Sequence, residues 1–244
     1  MTLLQLDGVG VRYWRGDRPV DALHDVSLEL AAGELAAVCG PSRCGKTTLL
    51  EVACGLRAPD RGRALVQGLD LAHLNRRQLA DVLREQIAFI PMRLGPQSTA
   101  LTVRRWIGAD LMDRASRRQG DRIAAQALQL VGVPDLLDAR WASLSDTERA
   151  RVAIAHGIAR RPRALLIDDA AIGLDVLERA DLVRLLRGLA ERFGIGVLLT
   201  AAVEKEVRGL DAYWSLGAGE LVGSQQADAP SNVVPLPRDD RRRA

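Results

Sequence analysis

Gly40-Pro41-Ser42-Arg43-Cys44-Gly45-Lys46-Thr47-Thr48 follows directly on the apolar run Leu35 to Val38 and precedes a helix-like stretch, Thr48 to Cys54. The spacing is that of a phosphate-cradling loop, G-x-x-x-x-G-K-[ST], in the strand–loop–helix setting the motif requires. The glycines let the backbone curl so that successive N–H groups aim at phosphate oxygens. The helix that follows adds the partial positive charge of its N-terminus. Lys46 supplies a mobile cation for the β- and γ-phosphates, and the Thr47 hydroxyl is a hard ligand for Mg²⁺. With 22 glycines and two lysines (Lys46 and Lys205) in 244 residues, random placement gives this pattern about once in a thousand chains. Lys+Arg total 34, so 34 − 2 = 32 are arginines, and one of the two lysines stands where phosphate chemistry needs one. An unliganded glycine turn is the alternative; nucleotide binding is the stronger reading.

Working outward, Ala164-Leu165-Leu166-Ile167-Asp168-Asp169 is an apolar strand that ends in two acids. Asp168 is expected to hold Mg²⁺ through water, and Asp169 to face the attacking water as the candidate base. Other short apolar runs (Leu35 to Val38, Ala88 to Ile90, Gly196 to Thr200) alternate with amphipathic stretches. In one of these, Leu177 to Phe193, Leu182, Leu185, Leu186 and Leu189 share a face. This alternation predicts an α/β fold with a mainly parallel core sheet between helices. Leu3 to Leu30 reads instead as short strands and turns, an antiparallel β flap of the kind that covers a sheet edge. Between Met92 and Trp141 the strand signal vanishes, which predicts an inserted helical subdomain at about 92–160. Residues 225–244 carry three prolines and the run Arg238 to Arg243, and read as a disordered, solvated tail.

Composition narrows the function classes. A formal net charge of +3 makes nucleic-acid binding an unlikely default, and no basic stripe lies within the folded part. No apolar run approaches the roughly 18 residues that cross a bilayer, and Met1 to Asp7 lacks the pattern of a secretion signal. Cys39, Cys44 and Cys54 form no C-x-x-C pair, so a reducing cytosol and small semi-buried thiols are expected.

The chain resembles the ATP-binding subunits of ABC transporters over roughly residues 3 to 223. Besides Gly40 to Thr48 and Leu165 to Asp169, the likeness includes Gly173-Leu174-Asp175 at the D-loop position. Leu144-Ser145 and the helix around Arg151 to Ala155 stand where the family signature occurs, and Val9 to Leu23 resembles the lipoprotein-release and macrolide-export branch. The resemblance implies an ATP-binding domain over 1–224. It implies that Tyr13 stacks on adenine, with Trp14 the substitute and ordinary packing the alternative. It also implies two ATP-binding subunits facing head to tail, each ATP held between one phosphate loop and the other's signature. Docking onto a separate membrane permease at the cytoplasmic face goes with it.

Several catalytic positions depart from the family pattern. Where the signature reads L-S-G-G-Q, this chain has Leu144-Ser145-Asp146-Thr147-Glu148. Side chains at Asp146 and Thr147 obstruct a backbone approach to phosphate, and Asp146 and Glu148 are expected to bring negative charge toward a polyanion. One like-charge contact at 4 Å costs on the order of 4 kcal/mol at an effective dielectric of 20. Asp169 is one methylene shorter than the usual glutamate, Ala201 stands at the switch-histidine position, and Met92 replaces the Q-loop glutamine. A thioether is a poor Mg²⁺ ligand. Arg43 replaces a common loop glycine and adds positive charge near phosphate.

Lys46, Thr47, Asp168 and Tyr13 therefore keep the phosphate grip, while residues that position water or complete a partner's site are replaced. Two readings follow: an ATPase subunit that powers transport with weak hydrolysis, or a non-hydrolysing nucleotide module that regulates a membrane protein or an intact paralogue. The changed signature favours pairing with an intact subunit over a homodimer.

Overall fold

The computed structural model describes residues 1–91, 101–109, 111, 116–170, 173–203 and 209–226. Two long strands, β1 (Thr2–Arg15) and β2 (Arg18–Ala31), open the chain, followed by β3 (Leu35–Cys39) and α1 (Lys46–Ala53). Next come β4 (Arg61–Val66), β5 (Leu69–Asp70), α2 (Arg76–Glu85) and β6 (Ile87–Pro91). Three helices, α3 (Val103–Ala109), α4 (Arg117–Leu130) and α5 (Asp146–Ile158), lead to β7 (Ala164–Asp168). The last elements are α6 (Val176–Phe193), β8 (Gly196–Ala201), β9 (Ala212–Gly217) and β10 (Glu220–Gln226).

The core sheet runs β10-β9-β3-β8-β7-β6. Its pairs are parallel except β10 against β9. Strands buried on both faces need continuous apolar sequence, and Leu35 to Cys39, Ala164 to Ile167 and Gly196 to Ala201 supply it. Alternate residues serve two cores. Leu35, Ala37, Leu165, Ile167, Val197 and Leu199 face the layer of α5 and α6. Ala36, Val38, Leu166 and Leu198 face α1 and the second sheet.

That second sheet, β2-β1-β4-β5, is the antiparallel flap. The sequence suggested short strands and turns at a sheet edge. The structure instead has two 14-residue strands, and their buried Leu4, Leu6, Val9, Leu23, Leu28 and Leu30 cover a face of the core sheet through α1. Register shifts between Leu6 and Val9 and between Val9 and Arg12 interrupt the pairing. Bulges break strict alternation, which made one long strand read as several short ones.

The expected helical insert contains α3, α4 and α5, with one isolated bridge, Thr102 to Arg140, among the described residues. Trp106 anchors it, stacked on His156 at 4.5 Å and edge-on to Trp141 at 4.7 Å. β10 pairs Gln225 with Tyr213 and Gln226 with Ala212, so the first two residues read as tail belong to the core sheet. The rest of that segment, with Met92 and Lys205, lies outside the described residues. No helix among the described residues is long and apolar enough to cross a membrane.

Candidate functional site

The ends of β3, β7 and β8 bring the phosphate loop, the acidic pair and Thr200 together. Residues 40–45 curl between β3 and α1. The Gly40 N–H is held by the carbonyl of Ala201 at 3.1 Å. Glycine is required twice in this turn: a Cβ on Gly40 would lie 2.2 Å from the Leu216 carbonyl oxygen, and one on Gly45 2.3 Å from that of Ala22. Gly45 is also at φ 113°, outside the range of other residues. Arg43 adopts φ 66° with its side chain exposed. Pro41 and Ser42 are exposed on the same turn, whereas the Cys44 side chain is buried beneath it.

Lys46 is buried, and its ammonium donates to the carbonyls of Gly40 (2.7 Å) and Pro41 (2.9 Å). The loop thus wraps its own cation and holds it at the mouth of α1. Gly45 caps α1 without a side-chain hydrogen bond, and the first turn contains no acid. The first N–H groups of α1 and its positive end therefore remain available to an anion.

Opposite the loop, Asp168 is tied down twice. Thr47 Oγ1 donates to Asp168 Oδ2 and Thr200 Oγ1 to Asp168 Oδ1, each at 2.8 Å. Thr200 also accepts the Asp169 N–H at 2.8 Å, so one fully buried hydroxyl orients both acids. The sequence reading passed over Thr200; a single hydroxyl closing the apolar run 196–200 was the only signal. Exposed Thr47 and half-buried Asp168 form a pair of hard oxygens. That donor set fits Mg²⁺, which keeps several waters and binds through one or two protein oxygens plus substrate phosphates. Asp169 sits at φ 55°, a left-handed conformation that aspartate tolerates better than most residues. Ala201 is buried, and its methyl group can neither donate nor accept.

β1 alternates its side chains between two faces. The Tyr13 hydroxyl shares a 3.2 Å hydrogen bond with Thr48 Oγ1, on the first turn of α1, whereas Trp14 is 68% exposed. Of the two candidates, Tyr13 is the aromatic beside the loop. One face of its ring is covered by the Arg57 guanidinium, 4.5 Å from the centroid, which Glu51 holds at 3.1 Å. The hydrogen bond to Glu51 raises the Arg57 pKa. This contact joins residues distant in sequence and was not foreseen. All three cysteines are buried; burial pushes the Cys54 thiol up to about 12, so it stays protonated and unreactive.

The signature region is built differently from the expectation. Ser145 caps α5 by accepting the Glu148 N–H at 3.3 Å, and the Glu148 carboxylate turns back to accept the Ser145 N–H at 2.8 Å. Serine followed three residues later by glutamate is a capping box. Glu148 therefore spends its charge on its own helix rather than reaching toward a partner's phosphate. The Thr147 hydroxyl donates to Glu178 on α6. Of the three changed side chains only Asp146 is exposed, beside Arg149 at 3.3 Å. Asp175 caps α6 by accepting the Leu177 and Glu178 N–H groups at 2.8 and 2.9 Å.

A loop-wrapped lysine, a free helix N-terminus and a threonine–aspartate pair at adjacent strand ends define a P-loop nucleotide-binding protein. Residues 23–172 match the family described as ABC transporter, and the chain belongs to that family as an ATP-binding subunit. It is 33% identical over 238 residues to methionine import ATP-binding protein MetN 1 of Yersinia pestis bv. Antiqua (strain Antiqua), covering 97% of this chain and 68% of that protein. With the protein of the same name from Rhodococcus jostii (strain RHA1) it is 31% identical over 229 residues, 91% of this chain and 66% of the relative. The chain thus spans about two thirds of the length of these relatives.

Among solved structures it is similar to the dimeric ATP-binding cassette MJ0796 bound to ADP and Pi, with TM-score 0.83 and 24% identity over 92% of this chain and 98% of the other. It is also similar to cbiO1 of Clostridium perfringens, with TM-score 0.80 and 21% identity over 92% of this chain and 88% of that one. These likenesses establish the fold. The branch suggested by the opening segment is not supported, since methionine-import proteins align over nearly the whole chain. Val9, Val11 and Leu23 are buried strand residues, and their pattern reports packing rather than branch.

Proposed function

We propose that this chain binds Mg·ATP at Gly40 to Thr48 and couples that binding to a membrane permease at the cytoplasmic face, paired with a second ATP-binding subunit. The observation that carries this reading is the arrangement of Lys46, Thr47 and Asp168. The cation is held by two loop carbonyls, and the hydroxyl and carboxylate are 2.8 Å apart. In this reading the N–H groups of residues 42–47 and Lys46 hold the phosphates, Thr47 and Asp168 hold Mg²⁺, and Tyr13 lies against the base. Bound Mg²⁺ would supply charge neutralisation at the phosphates. The relatives' names favour import over export.

Hydrolysis is slow or absent in this reading. Asp169 is the candidate base but is short, the Ala201 side chain offers no polar atom, and the first turn of α5 carries Asp146 and Thr147 where the family pattern has glycines. A misplacement of about 1 Å can cost on the order of a hundredfold in rate. The second reading, a non-hydrolysing module that regulates a membrane protein or an intact paralogue, is favoured to the extent that the exposed acid at Asp146 obstructs a partner's phosphate.

Calorimetry with a non-hydrolysable Mg·ATP analogue tests the central claim: saturable binding is expected, and no binding would refute it. Phosphate release distinguishes the readings, because a turnover typical of intact family members would exclude the regulatory module.

A further inference from the structure

Thr147 stands in the first turn of α5, and its hydroxyl donates to Glu178 Oε1 in the first turn of α6. The other oxygen of that carboxylate accepts the Asp175 N–H at 2.8 Å. Thr147 and Glu178 are both half-buried, where a hydrogen bond to a carboxylate is less diluted by water. Beside them, a Cβ on Gly173 would lie 3.1 Å from Asp146 Oδ2. Two helix N-termini are thereby fastened side by side by residues 31 apart in the chain. A glycine at position 147 has no side chain to donate, so the fastening belongs to this sequence.

The same stretch of chain begins at the Mg²⁺ end of the site. Thr47 and Thr200 grip Asp168, Thr200 holds the Asp169 N–H, and the Thr200 carbonyl accepts the Ala170 N–H at 3.1 Å. Asp175, which begins the capped turn of α6, follows Asp169 by six residues. Hydrogen bonds thus fix this stretch at two points, Asp169 and Ala170 beside the phosphate loop and Asp175 beside the latch to α5, and one chain of seven residues carries both.

We infer that Thr147 and Glu178 form an internal latch, which makes the N-terminus of α5 and the turn into α6 move as one piece. Through it, occupation of the phosphate loop is felt at α5 without a second subunit. Thr147 and Glu178 are positioning residues in this role. The latch stands on the hydrogen bonds alone; its response to nucleotide rests on the ATP-binding reading.

Amide hydrogen exchange on the full chain tests both parts. Without nucleotide, Thr147→Val is expected to speed exchange by about tenfold in residues 145–149 and also in 174–178, while Thr147→Ser stays within about twofold of the parent. In a Glu178→Ala background, Thr147→Val should add nothing. A change confined to 145–149, equal behaviour of Val and Ser, or additivity with Glu178→Ala would overturn the latch. Should the Val variant not fold by circular dichroism, Thr147→Ala carries the same comparison. With a saturating non-hydrolysable Mg·ATP analogue, the parent should gain protection at 145–149, and Thr147→Val should not, though its calorimetric affinity is unchanged. Equal protection in both would overturn the coupling. Absence of any binding to the parent would overturn the ATP reading and the coupling together, while the nucleotide-free comparison still decides the latch.

Discussion

Two helix N-termini in this molecule answer the same question in opposite ways. At α1 the cap is Gly45, no side chain satisfies the leading N–H groups, and the first turn carries Lys46 and no acid. At α5 the cap is Ser145 in a complete capping box, and the first turn carries Asp146 and Glu148. An uncapped N-terminus presents unpaired donors and a partial positive charge, so an anion is its natural partner. A capped and acidic one has found its anion within its own chain. The difference teaches that the departures in Leu144 to Glu148 are a built structure, and that most of the negative charge placed there is already spent.

The sharpest way to break this comparison is Lys46→Ala, which should weaken binding of the Mg·ATP analogue by more than about a hundredfold in calorimetry. Binding that survives would mean the α1 N-terminus is not the phosphate site. Next in size, Asp146→Gly, Thr147→Gly and Glu148→Gln together, which leave the Ser145 cap in place, should strengthen analogue-induced dimerisation by about tenfold, read by light scattering, since acid and side-chain bulk both leave the helix end. An unchanged association would show that acid and bulk in the first turn of α5 are not what limits pairing. Smaller still, Ser145→Ala should cost about 1 kcal/mol of stability in denaturant unfolding, the usual loss on removing a helix cap. Analogue affinity should be untouched, separating the two helix ends.

The smallest effect is expected at acid pH. Hydrogen bonds from Arg12 and Arg104 hold the carboxyls of Asp21 and Asp138 below their ordinary range. A carboxylate whose folded pKa is depressed contributes stability that is present above about pH 4 and is lost as the pH falls through the lowered folded value. Asp21→Asn should therefore flatten the acid limb of the stability curve slightly, with no change at neutral pH beyond that of an exposed pair. A steepened limb would contradict the depressed pKa.

Much of this could be read before any coordinates. The phosphate loop is contiguous, and its chemistry follows from spacing alone. The strands are legible because a doubly buried strand must be apolar throughout. The capping boxes at Ser145 and Asp175 are also local, serine or aspartate with glutamate three residues on. The box at Ser145 was legible in principle, and L-S-G-G-Q itself has serine and glutamine at the same two positions, so what this sequence changes is the pair between them, Asp146 and Thr147. Register was not legible in β1 and β2, because bulges disturb the alternation on which a strand reading depends.

Sequence by itself determined which groups this protein brings to phosphate: one lysine among 32 arginines, a threonine after it, and an acid at the end of an apolar strand. It determined this because those contacts arise within nine consecutive residues or at a strand terminus that hydrophobicity marks. Only the tertiary structure decided how the remaining charges are used. Glu178 meets Thr147 across 31 residues, and Thr200 meets Asp168 across 32. Such pairings depend on which strands are neighbours and which helix ends are brought side by side. Hydrogen bonds act over about 3 Å, and no spacing along the chain encodes a distance that the fold alone creates.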